Sequence, residues 1–465
     1  MSLQDIITTG APLLEQAAIT RTLGVAAGVF APGHIGELTR IIPFEMVDEV
    51  LADTGAVQRR VRLVPARVTV YLLLAAALFN GLGYQQVFDR LCAGLAGLAP
   101  ARPSGSALRQ ARQRLGPAPM KALFGLVSGP AATTAGAGRW RGLRVVAVDG
   151  TLLSVPDCPA NLAVFTRQRL GNGISGYPQL RLAALVACGT RSVIGAVFGP
   201  ATTGELEYAR RLAVDLRAGM LLLGDRNFAA SALLNQLAAT GADVLVRCKT
   251  NRKLPPVARC RDGSTLTRIG PLTVRVIEAE ITLRTAQGTR TGRYRLLTTL
   301  TDPATHPAGE LVRLYHERWE IETAYAELKS TMLGGHVLRA RTPDGVEQEV
   351  WALLTTYQAL RTAMTDATDS IPGTDPDRAG FLTALAAARD QLVLAAGIIT
   401  DTDTDIDLVG TIGRHVLAHL LPTRRVRTKD RIVKRAISKY NARGPAIDRT
   451  TYKATISINM LMSGP

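Results

Sequence analysis

The sequence predicts an α/β protein in which a strand and helix core lies between two largely helical regions. Three observations predict this class. Helical patterns broken by Gly and Pro fill residues 1 to about 135. From Leu143 onward, short apolar runs typical of strands alternate with helical patterns. A charged segment with helical spacing, YHERWEIETAYAELK, then follows at residues 315–329.

The amino-terminal region, residues 1–135, is predicted to be a helical domain that binds DNA. Its segment PSGSALRQARQRLG (103–116) predicts a helix capped by Ser104 or Ser106 and ended by Gly-Pro. The predicted inner stripe of this helix is Leu108, Ala111 and Leu115. Arg109 and Arg112 are then expected to point outward. With a helix before it at about 83–95, the segment resembles a helix-turn-helix with a basic recognition helix. An ordinary surface helix with exposed arginines is the alternative.

The predicted core begins with the apolar run Leu143–Val148, which is followed by Asp149. A later short strand is followed in the same way by Asp225. The predicted strands are 143–148, 180–187, 192–198, 220–223 and 243–246, and the predicted helices are 204–217 and 228–239. The order β-β-β-α-β-α-β, followed later by a helix, fits a ribonuclease-H-like core. In that topology the first and fourth strands are neighbours, so Asp149 and Asp225 are expected to meet at the strand ends.

Further divisions of the chain follow from composition. The strand-like stretches between residues 249 and 304 predict a β-rich insertion, because structureless loops of that length are rare. Residues 305–365 are predicted to complete the core (140–248) with the helix that carries a third acid. Residues 366–465 are predicted to form a mostly helical basic region for dimerisation or DNA contact. Its tract Arg424–Arg443 holds nine Lys and Arg against one acid, a density that favours phosphate contact over a solvated face.

Charge and composition limit the class of partner. A net charge of +17 over 465 residues indicates a polyanion, either nucleic acid or an anionic membrane surface. The five cysteines never form a CxxC pair, which argues against a disulfide framework or a zinc site. The longest apolar run, Val68–Phe79, is too short to cross a bilayer and predicts a buried helix. The start of the sequence lacks a signal pattern. A soluble, cytoplasmic protein with no membrane partner is expected.

The helical segment at 315–329 offers a candidate phosphate and metal site. On an ideal helix of about 100° per residue, Tyr315, Arg318, Glu322 and Lys329 fall within a stripe of roughly 60°. One carboxylate flanked by two cations and a phenol suits a site that binds a metal and a phosphate together. A solvated face with ordinary charge pairs is the alternative. The two upstream aspartates favour the site.

Asp149, Asp225 and Glu322 together predict a divalent cation site. Converging carboxylates repel each other unless a cation lies between them, and carboxylate oxygens are the ligands that Mg²⁺ and Mn²⁺ prefer. Two ions about 3.5–4 Å apart can activate an attacking oxygen and stabilise a leaving oxygen. Asp149 is expected to bridge both ions, with Asp225 and Glu322 each completing one side. Arg318 and Lys329 are expected to hold the phosphate.

The motifs VAVDGT, LLLGDRNF and YHERWEIETAYAELK, which carry the three acids, resemble those of the DDE transposases of bacterial insertion sequences, in the group with a Tyr-Arg-Glu-Lys signature. The resemblance covers most of residues 40–360 and is weak beyond about 365. It implies metal-dependent cleavage at inverted-repeat transposon ends, followed by attack of the freed 3′-hydroxyl on target DNA. It also implies double-stranded DNA as partner, a homodimer that pairs two ends, and a place in the bacterial nucleoid. In some relatives an aromatic residue near the position of Tyr294 stacks on a flipped base, although packing is the alternative for a strand tyrosine.

Two other functions stay open at this stage. One is a nuclease of the same fold that cleaves DNA without joining it. The other is a DNA-binding protein, such as a regulator, without catalysis. The intact set of three acids disfavours the second, whereas Tyr315, Arg318 and Lys329 around Glu322 favour the transposase over the nuclease.

Overall fold

A computed structural model describes residues 31–60, 62–95, 100–131, 138–167, 169–170, 173–174, 176–286, 288–395, 409–422 and 454–461. The basic tract Arg424–Arg443 therefore lies outside the described residues. The described residues fall into two compact units. One comprises those within Met1–Pro130, Glu327–Thr374 and Ala379–Leu420, and the other those within Ala131–Ala326, Asp375–Arg378 and Leu421–Pro465.

The helices of the described residues account for most of the first unit. The α-helices are α1 (Phe44–Asp53), α2 (Ala66–Leu78), α3 (Tyr84–Cys92), α4 (Gly105–Leu115), α5 (Ala118–Ala131), α6 (Pro159–Leu162), α7 (Glu205–Leu212), α8 (Ser231–Ala238), α9 (Ala308–Leu314), α10 (Trp319–Ala326), α11 (Pro343–Asp369), α12 (Phe381–Val393) and α13 (Gly410–Ala418). Short 3-10 helices lie at Leu38–Arg40, Ala213–Asp215, Arg226–Ala229, Tyr315–Arg318 and Pro376–Arg378, and a π-helix lies at Glu327–Met332.

The strands belong to the second unit. They are β1 (Arg139–Trp140), β2 (Leu143–Ser154), β3 (Arg169–Leu170), β4 (Gly173–Ile174), β5 (Gln179–Ala187), β6 (Val193–Pro200), β7 (Met220–Gly224), β8 (Asp243–Arg247), β9 (Ala258–Arg259), β10 (Thr265–Ile269), β11 (Leu272–Thr285), β12 (Gly288–Thr298) and β13 (Ala454–Met460). The main sheet has the order β6-β5-β2-β7-β8-β12-β11-β10-β9, with β1 on β2 and β13 on β11, and β3 pairs with β4 separately.

In the first unit, α2 is apolar around its whole circumference and is buried along nearly its full length. The predicted buried helix at 68–79 is thereby confirmed. Within the described residues, no helix is both long and apolar enough to cross a membrane.

The basic helix α4 forms where it was predicted. Ser104 caps it, since the Ser104 hydroxyl accepts a hydrogen bond of 3.2 Å from the Ala107 N–H. The predicted inner stripe is confirmed, because the buried side chains are Leu108, Ala111 and Leu115. The helix-turn-helix arrangement is wrong for α3 and α4. Twelve residues separate the end of α3 at Cys92 from the start of α4 at Gly105, whereas that motif joins its helices by a turn of about 3–4 residues.

The second unit has a mixed sheet with a helix-covered face. The predicted neighbouring of the first and fourth core strands is confirmed, because β2 pairs in parallel with β7. On its other side β2 pairs antiparallel with β5, and β7 continues in parallel to β8. Side chains of β2, β5, β7 and β8 form one apolar cluster with α7 and α8, which explains the continuous apolar runs of these strands.

The predicted β-rich insertion consists of strands, yet these strands extend the main sheet. β12 pairs antiparallel with β8, and β11 and β10 follow. β11 is long enough to pair with β10 near one end and with β13 near the other. The last described element, β13, is a strand, whereas the other described elements after residue 366 are helical, as expected.

Candidate metal and phosphate site

Asp149 lies inside β2. The sequence had instead suggested that Asp149 follows the end of this strand. The strand continues to Ser154, because β5 pairs with it through that residue. Pairing with β7 stops earlier, at Ala147 and Leu223. Asp149 is thus beyond the last partner on the β7 side, where its carboxylate can meet groups that follow β7. It is 6% exposed, and its Oδ1 accepts a hydrogen bond of 2.8 Å from the Gly150 N–H.

Asp225 directly follows β7, as predicted, and begins the 3-10 turn Arg226–Ala229. Its Oδ1 accepts a hydrogen bond of 2.7 Å from the Asn227 N–H. The β2–β7 register, extended by two residues past Ala147 and Leu223, brings Asp149 level with Asp225. Neighbouring strands lie about 4.8 Å apart, so the two aspartates occupy one edge of the paired strands.

The segment that carries Glu322 is not one ideal helix. It begins as a 3-10 helix (Tyr315–Arg318), continues as α10 and becomes a π-helix at Glu327. Arg318 and Glu322 still share a face, since Arg318 Nη2 donates to Glu322 Oε1 over 3.2 Å. Lys329 lies in the π-helical part, which belongs to the first unit, and is half-buried. The ideal α-helical spacing from which the common stripe was predicted therefore does not hold along the whole segment, because the helix changes its pitch before Lys329.

Two tyrosines attach this segment to the strands that carry the aspartates. The Tyr315 hydroxyl donates to the carbonyl oxygen of Gly224, the residue before Asp225, over 3.1 Å. The Tyr325 hydroxyl donates to the backbone oxygen of Asp149 over 2.7 Å. Both tyrosines are buried, so their hydroxyls need such partners. Glu322 lies between them in sequence, on the segment that these two hydrogen bonds attach to the strands of Asp149 and Asp225.

Sequence reasoning missed Tyr325, Glu205 and Asn227 in this region. Tyr325 follows Glu322 by three residues, a spacing that places both on neighbouring positions of a helix. Asn227 follows Asp225 by two residues, within GDRNF. Asp and Asn so close together are typical of a turn, so Asn227 could have been predicted to lie near Asp225. Glu205 carries no local signal, because only the tertiary structure brings α7 to this edge.

The charges around Asp149 resemble those of a cation site. Burial, together with the nearby carboxylates of Glu205 and Asp225, raises the pKa of Asp149 to about 7 against the lowering effects of the Gly150 N–H and Arg318. Burial disfavours the charged form of Arg318, yet Tyr315, Glu322 and Asp149 raise its pKa overall. A divalent cation among these carboxylates would stabilise their ionised forms, as Arg318 does in part.

A second group of carboxylates is paired with a buried arginine. Among the described residues, Glu317, Glu320 and Asp377 are the acids whose ligand atoms all lie within 4.8 Å of one another. The Arg191 guanidinium lies between two of them, donating to Glu320 over 2.7 Å and to Asp377 over 2.8 Å. A buried cation is therefore already in place, and we assign this group to an ion-pair cluster. Among the described residues, the ligand atoms of Asp149, Asp225 and Glu322 are not gathered this closely.

The remaining candidate residues lie in three environments. Tyr294 is half-buried in β12, and the Arg247 guanidinium lies 4.2 Å from its ring centroid. Arg109 is exposed on α4, as predicted. Arg112 is not outward: its guanidinium stacks on the ring of Tyr84 at 3.8 Å. The physical reason is that Tyr84 at the start of α3 offers an aromatic face, against which the arginine side chain packs.

Comparison with known proteins identifies two regions of the chain that match transposase families. Residues 140–358 match the transposase DDE domain family, and residues 32–125 match the amino-terminal region of insertion element 4 transposases. The chain is similar to the transposase InsG for insertion sequence element IS4 of Escherichia coli (strain K12), with 29% identity over 85% of this chain and 91% of that protein. It is also 31% identical to a putative transposase InsZ of the same organism over 30% of this chain and 47% of that one.

Among solved structures, one similar chain is the piggyBac transposase in its synaptic complex with hairpin DNA. The match has a TM-score of 0.41 and 14% identity, and it covers 84% of this chain and 86% of that chain.

Proposed function

This chain belongs to the DDE transposases of the insertion element 4 group, and we propose that it cuts and joins DNA through Asp149, Asp225 and Glu322. The family acts on DNA and uses a divalent metal. The proposed reaction is metal-dependent cleavage at inverted-repeat ends followed by transfer of the 3′-hydroxyl to target DNA. The observation that carries it is the attachment of the Glu322 segment, through Tyr315 and Tyr325, to the strands that bear both aspartates.

The donor set fits Mg²⁺ or Mn²⁺. It consists of carboxylates, and the buried Asp149 is ionised with difficulty until a positive charge is near. Two such ions, when bound, would polarise the phosphate and activate the attacking oxygen. Asp149, Asp225 and Glu322 would hold these ions.

The chain's own residues then orient the DNA backbone. Arg318 is held against Glu322 and above the ring of Trp319, so its guanidinium is positioned before DNA arrives. We propose that it holds the scissile phosphate, for which its planar fork of donors is suited. Lys329 is proposed to contact a DNA phosphate, and Tyr294 to stack on an unpaired base.

Recognition and assembly extend this proposal. Region 1–135 is proposed to bind the DNA ends, and region 366–465 to serve dimerisation or DNA contact. Regions 140–248 and 305–365 are proposed to form a ribonuclease-H-like catalytic core, with 249–304 as its insertion. A homodimer is proposed to pair two ends.

The test uses three single variants, Asp149→Ala, Asp225→Ala and Glu322→Ala. Each should abolish Mg²⁺-dependent cleavage of DNA that carries the element's ends, because a ligand oxygen is lost, while gel-shift binding to that DNA stays within a few fold. Glu310→Ala, an exposed acid on α9 paired with Arg141, is the matched control and should leave cleavage unchanged. A purified triad variant that still cleaves would remove that residue from the site. Wild-type protein that nicks ends but never joins them would indicate a nuclease.

A further inference from the structure

Glu205 is joined to Asp225 through a single residue, Asn227. Glu205 is the first residue of α7, and its Oε2 accepts a hydrogen bond of 2.7 Å from Asn227 Nδ2. The backbone N–H of the same asparagine donates to Asp225 Oδ1, also over 2.7 Å. Asn227 is therefore bound at its side chain by one carboxylate and at its backbone by the other.

The approach of Glu205 depends on a glycine. An ideal Cβ atom built on Gly150 would lie 2.3 Å from Glu205 Oε1, which is closer than real side-chain carbons come. Any other residue at position 150 would push the Glu205 carboxylate away. Asp149 and Gly150 therefore have different roles. Asp149 belongs to the proposed site, and Gly150 leaves room for the Glu205 carboxylate.

Glu205 lies on the opposite side of β2 from the Asp149 side chain. Successive side chains of a strand point to opposite faces. Val146 and Val148 face the apolar cluster that includes Tyr208 of α7, so Gly150 faces α7 as well. Asp149 points to the other face, which α10 contacts. Glu205 is therefore placed behind the strand that carries Asp149, where it contacts Asn227.

We infer that Glu205 is a positioning residue for the proposed reaction: it fixes Asn227, and through it the short turn that sets the orientation of Asp225. The turn Arg226–Ala229 has only four residues, and Asn227 connects it both to the Asp225 carboxylate and to Glu205 of the neighbouring helix α7. This inference rests on the proposed function. Partners that orient metal ligands from behind typically contribute about 10–100-fold in metal affinity or activity.

The test compares Glu205→Ala with Glu205→Gln. Alanine removes the acceptor, so Mn²⁺ binding by the DNA-free protein, followed by electron paramagnetic resonance, should weaken about 10–100-fold, with a similar loss of cleavage. Glutamine keeps an oxygen that can accept from Asn227, and it should restore both to within roughly threefold of wild type. Glu207→Ala, on the same helix and paired with Arg210 and Arg211, is the control and should change neither.

A second experiment uses the variant Asn227→Ala. If Glu205 acts through Asn227, the double variant Glu205→Ala with Asn227→Ala should lose no more than the worse single variant, because both remove one contact. A glutamine variant as defective as the alanine variant would mean that Glu205 acts by its charge, and additive losses would mean a separate role. Unchanged Mn²⁺ affinity in Glu205→Ala would also overturn the inference.

The same assays separate this inference from the proposed function. Asp225→Ala should bind Mn²⁺ poorly and fail to cleave. Should Asp225→Ala cleave normally, the proposed site itself is wrong. Should Asp225→Ala be inactive while Glu205→Ala behaves as wild type, only the positioning role of Glu205 is lost.

Discussion

Arg318 lies beside two of the proposed ligands, Glu322 and Asp149, and its environment fixes its geometry. It donates to Glu322 and lies 4.9 Å from the ring centroid of Trp319, so its position is constrained from two sides. Its exposed fraction is 11%, which means that solvent competes little for its donors. A residue held in this way can stabilise developing negative charge without reorganising.

Arg318→Lys should therefore be costly although charge is conserved. A lysine offers a point charge in place of a planar fork, and we expect a loss of DNA cleavage on the order of 10²-fold. Metal binding should stay near wild type, because no carboxylate ligand is removed. Single-turnover cleavage of pre-nicked end DNA measures the effect, with Arg313→Lys, an exposed arginine of α9, as control. Full activity in Arg318→Lys would reduce this arginine to an ordinary helix ion pair.

His34 gives the first unit a predictable response to acid. It is 2% exposed, and burial lowers its pKa from 6.5 to about 4 against the raising effect of the Leu91 carbonyl. The Gly36 N–H donates to His34 Nδ1 over 3.1 Å, so the proton lies on Nε2, which donates to the Leu91 oxygen over 2.8 Å. A second proton would place two N–H groups against each other at Gly36.

The folded state thus favours neutral His34, and its contribution is complete above pH 6.5. As pH falls from 6.5 towards 4, the unfolded chain takes up the proton first, and stability is lost at up to about 1.4 kcal/mol per pH unit. His34→Gln should remove about 2 kcal/mol of the loss seen between pH 7 and pH 5 in urea unfolding. His415→Gln, an exposed histidine of α13, should leave the pH dependence unaltered. Identical pH profiles for all three proteins would contradict this role.

At the scale of elements, α4 shows how one helix combines recognition and packing. Arg109 is exposed, whereas Arg112 stacks on Tyr84. The carbonyl oxygens of Arg112 and Gly116 also accept hydrogen bonds of 2.7 Å from Gln348 Nε2 of α11. The carboxyl end of the helix is therefore tied into its unit, and the exposed arginine is available to a partner.

Replacement of Arg109 and of Arg112 in α4 by alanine should affect different properties of the protein. Arg109→Ala is expected to leave unfolding unchanged but to weaken discrimination of the element's ends by about 1–3 kcal/mol, if it contacts a base. Arg112→Ala is expected to lower the free energy of unfolding by about 1 kcal/mol, because a stacked cation and its aliphatic stem are lost. Salt-matched competition binding and urea denaturation measure the two effects. Equal losses of binding on specific and unrelated DNA for Arg109→Ala would limit this residue to phosphate contact.

At the scale of the whole molecule, the net charge of +17 predicts strongly salt-dependent DNA binding. Each phosphate neutralised releases bound counterions, so the logarithm of the binding constant falls linearly with that of the salt concentration. With six to ten phosphate contacts, affinity for unrelated DNA should fall about 10³–10⁵-fold between 50 and 200 mM salt. Fluorescence anisotropy titrations measure the slope. A nearly flat dependence would show that the excess charge lies away from the DNA.

The sequence by itself determined the local features of this protein. Apolar runs, helical spacing and capping residues predicted the core strands, the buried α2 and a serine cap on α4, because these depend on residues close together in the chain. The three acids of the proposed site could be named for the same reason. The adjacency of β2 and β7 was predicted from the order of the strands and helices. Only the tertiary structure decided that β2 runs on past Asp149, since its length is set by pairing with β5. Tyr325 meets Asp149 across 176 residues, and Glu205 meets Asn227 only because α7 packs beside the loop after β7. Contacts of this kind depend on burial and strand pairing between distant segments, which no local pattern encodes.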